Sequence, residues 1–133
     1  MLKRAICALV VFSPVLVTSF QSDIALGTGE FTKSCTNITL TQGRILEADC
    51  KTRNGRTAQT GINLNNYIVN QDGRLGWSRN GNYSASSRNC DVDFQGGRTF
   101  LMCDTRKRDN SFTGASLNLD KHIANINGTL TYE

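Results

Sequence analysis

Few side chains in this chain of 133 residues have types and spacings suited to chemistry. The one histidine, His122, has no serine, cysteine or aspartate set by motif to complete a nucleophilic triad, so it reads as structural. Asp91 and Asp93 stand two apart on one strand face beside Cys90. Glycoside hydrolysis needs two carboxylates flanking a cleft, and this pair reads more simply as a solvated face. No phosphate loop occurs, and no enzymatic activity is expected. Two short segments instead suit non-covalent recognition, Asn70-Gln71-Asp72-Gly73 and Asn125-Ile126-Asn127-Gly128. Each sets amide or carboxylate side chains beside a glycine able to take a positive φ. Such a loop presents hydrogen-bond donors and acceptors to a hydroxyl-rich ligand, although turn formation alone would also account for these asparagines. The basic run Arg106-Lys107-Arg108 reads as a solvated hairpin tip.

These turns belong to a repeat. Residues 62–77 are answered by residues 117–132 at a constant offset of 55, with Asn, Leu, Ile, Asn, Gly and Leu recurring at matched places. Upstream, residues 29–34 pair with residues 81–86 at an offset of 52. Self-similarity at a fixed period signals repeated architecture. Two copies, about 29–78 and 81–133, are too few for a solenoid and imply one pseudo-symmetric globule. Strand signals dominate: Thr36 to Leu40, Ile45 to Cys50, Cys90 to Phe94 and Thr99 to Cys103 are rich in β-branched and aromatic residues. Asn63 and Asn118 are placed to cap single helical turns over Leu64 to Val69 and Leu119 to Ala124. Leu64 with Ile68, and Leu119 with Ile123, then face the core. Each tight turn launches a strand ending in Trp77 or Tyr132.

Residues 1–19 read as a secretory signal peptide: Lys3 and Arg4, an apolar run from Ala5 to Val17, then small residues for cleavage. Secretion is therefore expected, with residues 20–133 as a single domain. Without the leader, thirteen basic side chains face eleven acidic ones. That small excess gives no nucleic-acid footprint, and no later segment is apolar enough for membrane insertion. Cys7 leaves with the leader, so Cys35, Cys50, Cys90 and Cys103 remain. In an oxidising compartment these imply two disulfides, for which three connectivities exist. No CxxC pair supports zinc. The repeat selects Cys35–Cys50 and Cys90–Cys103, each stapling a hairpin. Cys90 stands three residues beyond Ser87, the repeat partner of Cys35, and so on the opposite strand face. A bulge or shifted register is required for it to meet Cys103.

Residues 29–133 resemble the cyanovirin-N family of small lectins. The likeness is densest at residues 119–133, with residues 62–65 and 70–73 as the first-repeat counterpart. The resemblance implies an all-β, pseudo-symmetric fold of two repeats, each a three-stranded sheet plus β-hairpin with short helical turns. Strands are exchanged between the halves. It implies metal-free, cofactor-free recognition of high-mannose glycans or glycoproteins, chiefly terminal α1,2-linked mannose. A middle site corresponds to Asn70, Asp72, Asn82, Ser86, Thr105 and Arg106, and a weaker terminal site to Glu30, Lys33, Ser34, Lys51, Arg53, Asn54, Asn125, Ile126 and Asn127. Val69 and Ala85 stand where cyanovirin-N has acids, Asp104 where it has a lysine. In the terminal set Glu30 and Lys51 invert charges, Arg53 replaces a threonine and Asn127 an aspartate. Sequons at Asn37, Asn82 and Asn127 are candidate N-glycosylation sites, two of them within these sets. The link Trp77-Ser78-Arg79-Asn80 leaves both a monomer and a domain-swapped dimer open. The competing reading is a secreted protein-interaction or effector module that keeps the scaffold without sugar binding.

Overall fold

The computed structural model describes residues 29–133; the expected leader lies outside the described residues. Among the described residues ten strands form four antiparallel sheets. Strands β1 (Cys35–Thr41), β2 (Ile45–Lys51) and β3 (Thr57–Asn63) make the first three-stranded sheet. A hairpin of β4 (Ile68–Gln71) and β5 (Arg74–Trp77) follows. The second half repeats the order with β6 (Ser87–Gln95), β7 (Arg98–Arg106) and β8 (Phe112–Asn118), then the hairpin of β9 (Ile123–Ile126) and β10 (Thr129–Tyr132).

The sequence dictates the local breaks. Asp72 and Gly73 both have positive φ (51° and 92°), as do Asn127 and Gly128 (51° and 89°). Two successive positive φ values build the tight hairpin turn whose twist matches its flanking strands. The asparagine caps act as anticipated: Asn63 Oδ1 accepts from Asn65 N and Asn118 Oδ1 from Asp120 N. The turns they cap are shorter than the sequence suggested, Leu64–Asn66 and Leu119–Lys121, both 3-10. Ile68 and Ile123 therefore begin strands. They reach the core with Leu64 and Leu119 all the same, after the chain leaves helical geometry at Tyr67 and His122, both at φ −135°. Two further 3-10 turns, Phe31–Lys33 and Tyr83–Ser86, carry no sequence signal of comparable strength.

Both disulfides form, Cys35–Cys50 and Cys90–Cys103. The shift that Cys90 requires is present: β6 slips register on β7 between Arg88 and Asp91. The first sheet has the same irregularity between Thr36 and Thr39. Asn37 and Asn89 occupy the two bulges at φ 52° and 54°. Each reaches across the ladder, Asn37 Nδ2 to Asp49 Oδ2 at 2.8 Å and Asn89 Nδ2 to Asp104 Oδ2 at 2.9 Å. The first bridge thus joins cross-strand partners, whereas the second sits at the bulge.

The core is built from matched pairs out of the two halves: Phe31 with Tyr83, Leu46 with Leu101, Leu64 with Leu119 and Ile68 with Ile123, all fully buried. At the junction of the repeats Tyr67 stacks on Tyr132 with ring centroids 4.6 Å apart, and Trp77 meets His122 edge-on at 4.9 Å. His122 Nδ1 also lies 3.0 Å from the Glu133 carbonyl oxygen, in keeping with a structural histidine. Tyr83 hydroxyl donates to Gly43 O at 2.6 Å. Burial pushes its pKa well above the tyrosine range, with nearby Arg44 opposing that rise only in part.

The halves interlock. The β4–β5 hairpin, from the first repeat, packs on the second sheet; Gly73 lies against Thr113 and Lys107. The β9–β10 hairpin packs on the first sheet, where Leu130 N donates to Thr60 Oγ1 at 3.1 Å and Gly128 lies against Thr52 and Ala58. Strand exchange leaves neither half with a complete core of its own. No helix among the described residues is long and apolar enough to cross a membrane.

Candidate functional site

The interlocked hairpins create two poles with one wiring scheme. At the first, Asn70 on β4 donates from Nδ2 to Ser86 Oγ and to Arg106 O, both at 2.9 Å, and its Oδ1 accepts from Gly73 N at 2.8 Å. Asp72 Oδ1 accepts from Arg108 N at 2.9 Å. At the second pole Asn125 repeats this with Ser34 Oγ and Lys51 O, both at 2.9 Å, and with Gly128 N at 2.7 Å. Asn127 Oδ1 accepts from Arg53 N at 2.9 Å. Asn70 and Asn125 are therefore clasps between a hairpin and the sheet of the other repeat. Their amides are committed to the protein, so the structural account of these asparagines holds.

Beside the first clasp lies an open cleft of about 640 Å³, lined by Asn70, Gln71, Asp72, Arg74, Ser86, Arg106, Lys107 and Arg108. Four of the six residues expected for the middle site meet here: Asn70, Asp72, Ser86 and Arg106. Thr105 does not contribute. It is fully buried, and its hydroxyl bonds Gly73 O at 2.7 Å and Thr113 O at 3.0 Å, because its alternating position on β7 faces inward. Asn82 is exposed at φ 53° and lies outside the cleft lining; its backbone N–H ties to Asn65 O at 2.8 Å.

Gln71, Arg74, Lys107 and Arg108 join the lining without having been singled out as site residues. The signal for two of them was the basic run at 106–108. That run does sit at the β7–β8 connection, closed by Lys107 N to Ser111 O at 2.7 Å, and it also walls the cleft. Asp109, beyond the wall, has its carboxyl held below the usual range chiefly by hydrogen bonds from Ser111, with help from the Lys107 charge. The one ion pair among the described residues joins Lys33 to Glu30, so the four cations of the cleft have none.

The terminal set divides. Ser34, Lys51, Arg53, Asn125 and Asn127 meet through the second clasp. Asn54 supports the adjoining loop by accepting from Arg56 N at 3.1 Å, and Ile126 pairs with Thr129 in the hairpin. Glu30 and Lys33, by contrast, line a different cleft of about 730 Å³ with Gly96, Gly97, Arg98, Asn118, Asp120 and Lys121. There the buried Asp120 carboxylate accepts from Thr32 N, Thr32 Oγ1 and Thr99 N at 2.7–2.9 Å. Among the described residues no group of three or more His, Cys, Asp or Glu is placed to hold a metal ion. The sequon asparagines Asn37, Asn82 and Asn127 are all exposed.

A family model for the CVNH domain matches residues 31–131. The chain belongs to the CVNH family. A cyanovirin-N homolog of Tuber borchii is 34% identical over 107 residues, covering 77% of this chain and 98% of the relative. The solution structure of the Gibberella zeae CVNH protein superposes with a TM-score of 0.71 at 33% identity, covering 78% of this chain and 97% of that one. Microvirin, solved in complex with mannobiose, superposes with a TM-score of 0.68 at 25% identity, covering 77% and 97%. Both structures superpose on the all-β fold described above.

Proposed function

We propose that this CVNH protein is a secreted, non-enzymatic lectin that binds mannose-rich glycans, with terminal α1,2-linked mannose docking in the cleft beside Asn70. The observation that carries the reading is the cleft itself. An open, polar hollow sits on a rigid double clasp, and Arg106, Asp72 and Gln71 offer unengaged side-chain groups to it. Vicinal hydroxyls each donate and accept, and they are matched by an arginine fork on one side and a carboxylate oxygen on the other. Microvirin, solved with mannobiose, supports the same sugar class. The asparagine clasps hold the walls in place, which lowers the entropy lost when a flexible sugar binds. The second pole repeats the clasp and provides a weaker site, so a dense glycan surface would gain avidity from both. The protein acts as a monomer or as a swapped dimer with the same poles.

The test is titration with α1,2-mannobiose followed by backbone-amide NMR. Amides of Asp72, Gly73 and Arg108 are expected to shift. Arg106→Ala is expected to abolish most binding with thermal stability nearly unchanged, because only the Arg106 backbone enters the clasp. Full binding by that variant would remove the cleft from the assignment. No response to any oligomannose from folded protein would favour the protein-interaction module.

A further inference from the structure

The two poles have the same backbone and different charge. Carrying the offset of 55 through the clasp, Arg74, Arg106, Lys107 and Arg108 of the first pole correspond to Thr129, Lys51, Thr52 and Arg53 of the second. Asp72 corresponds to Asn127. The first cleft therefore gathers four cations and one carboxylate, and one oxygen of that carboxylate already accepts the Arg108 N–H.

Donors outnumber acceptors in such a cleft. Each guanidinium offers about five N–H groups and accepts none, and the lysine ammonium only donates. The acceptors left are few. Ser86 Oγ already receives Asn70 Nδ2 and one Asp72 oxygen receives the Arg108 N–H, so the remaining acceptor capacity lies mainly with the Asp72 carboxylate and the Gln71 side-chain carbonyl. A neutral sugar, whose hydroxyls donate as readily as they accept, pairs with the carboxylate and one arginine fork and leaves the rest of the donor excess unused. An acceptor-rich anion does, and the planar arginine fork matches phosphate oxygens in pairs.

We propose that the first pole selects a mannose oligosaccharide carrying a phosphate group, the sugar seated against Asp72 and Gln71 and the phosphate drawn to Arg74, Arg106 and Arg108. This rests on the reading of the cleft as the sugar site. The second pole, with two cations and no carboxylate in its matching positions, serves as an internal control in the same molecule.

Isothermal titration of the full folded chain with α1,2-mannobiose, its 6-phosphorylated form and inorganic phosphate tests the proposal. The phosphorylated disaccharide is expected to bind about tenfold or more tightly than the neutral one, the scale of one added charge-assisted contact. That advantage should shrink as salt rises from about 50 to about 500 mM, because the cleft is open to screening. Amide shifts should concentrate at Asp72 and Arg108, not at Asn127 and Arg53. Arg74→Gln and Arg108→Gln should each cut affinity for the phosphorylated sugar more than for the neutral one. Equal affinity for the two disaccharides overturns the phosphate preference and leaves the lectin reading standing. Inorganic phosphate binding as tightly as the phosphorylated sugar also overturns it, since the cleft would then be a general anion site. Silence toward both sugars overturns the carbohydrate reading and this proposal with it.

Discussion

Asn70→Ala separates a structural clasp from a sugar ligand. The side chain makes three hydrogen bonds of 2.8–2.9 Å: those donated to Ser86 Oγ and Arg106 O tie the β4–β5 hairpin to the other repeat, and the one accepted from Gly73 N holds the hairpin's own turn. A typical intramolecular hydrogen bond contributes about 1 kcal/mol net. The clasp is partly open to solvent, so water recovers some of the unpaired groups, and the three bonds together amount to about 2–3 kcal/mol. In a domain of this size that lowers the melting temperature by about 10–20 °C. Thermal and denaturant unfolding followed by circular dichroism reads this directly. A double-mutant cycle with Ser86→Ala should show coupling of about 1 kcal/mol, because the two residues share one bond. Asn125→Ala should cost a similar amount at the opposite pole, where the partners are equivalent. The reasoning is refuted if Asn70→Ala melts with the wild type and loses only sugar affinity; Asn70 would then be a ligand and the hairpin would be held by packing alone.

Other substitutions probe different links. Gly81→Ala should destabilise severely, with poor yield of folded protein in a solubility and melting assay, because an added Cβ would meet the Ile68 carbonyl oxygen at 2.2 Å. Asp120→Asn removes a buried charged acceptor from Thr32 and Thr99 and should cost about 2–4 kcal/mol in denaturant unfolding. Tyr83→Phe should cost about 1 kcal/mol at neutral pH, since Phe31 fills the matching place in the other half and only the bond to Gly43 O is lost. Burial raises the Tyr83 pKa above its unfolded value, so its native state favours the proton. Stability from this group is full below about pH 10 and falls as pH rises beyond it; alkaline titration of stability should be flatter in Tyr83→Phe.

Much of the architecture was legible in the residues because local chemistry specifies it. Asx turns with a positive-φ glycine, asparagine caps and β-branched runs act within a few residues of themselves, and the 52- and 55-residue offsets announced two copies of one plan. The bulge at Asn89 was legible for the same reason. Cys90 stands on the wrong strand face for Cys103, and only a register shift reconciles the two. Strands β3 and β8 were not legible. Their solvated, Thr-, Ser- and Gly-containing sequences gain their partners only from register on β2 and β7.

The sites divide along the same line. Turn residues Asn70 and Asp72 stood out because their types suit both turns and hydroxyls. Their division of labour, with Asn70 clasping and Asp72 lining, depends on residues 16 to 36 positions away in sequence. The inward turn of Thr105, the separation of Glu30 and Lys33 from the Asn125 clasp, and the recruitment of Arg74 beside Arg108 likewise follow from how one repeat's hairpin lies on the other repeat's sheet. Sequence by itself determined the two-copy plan, the hairpin turns and the asparagine caps, and it favoured the disulfide pairing, since each arises from local geometry or from matching the two copies. Tertiary structure alone decided which charges share a cleft, because strand exchange brings together side chains that no local periodicity relates.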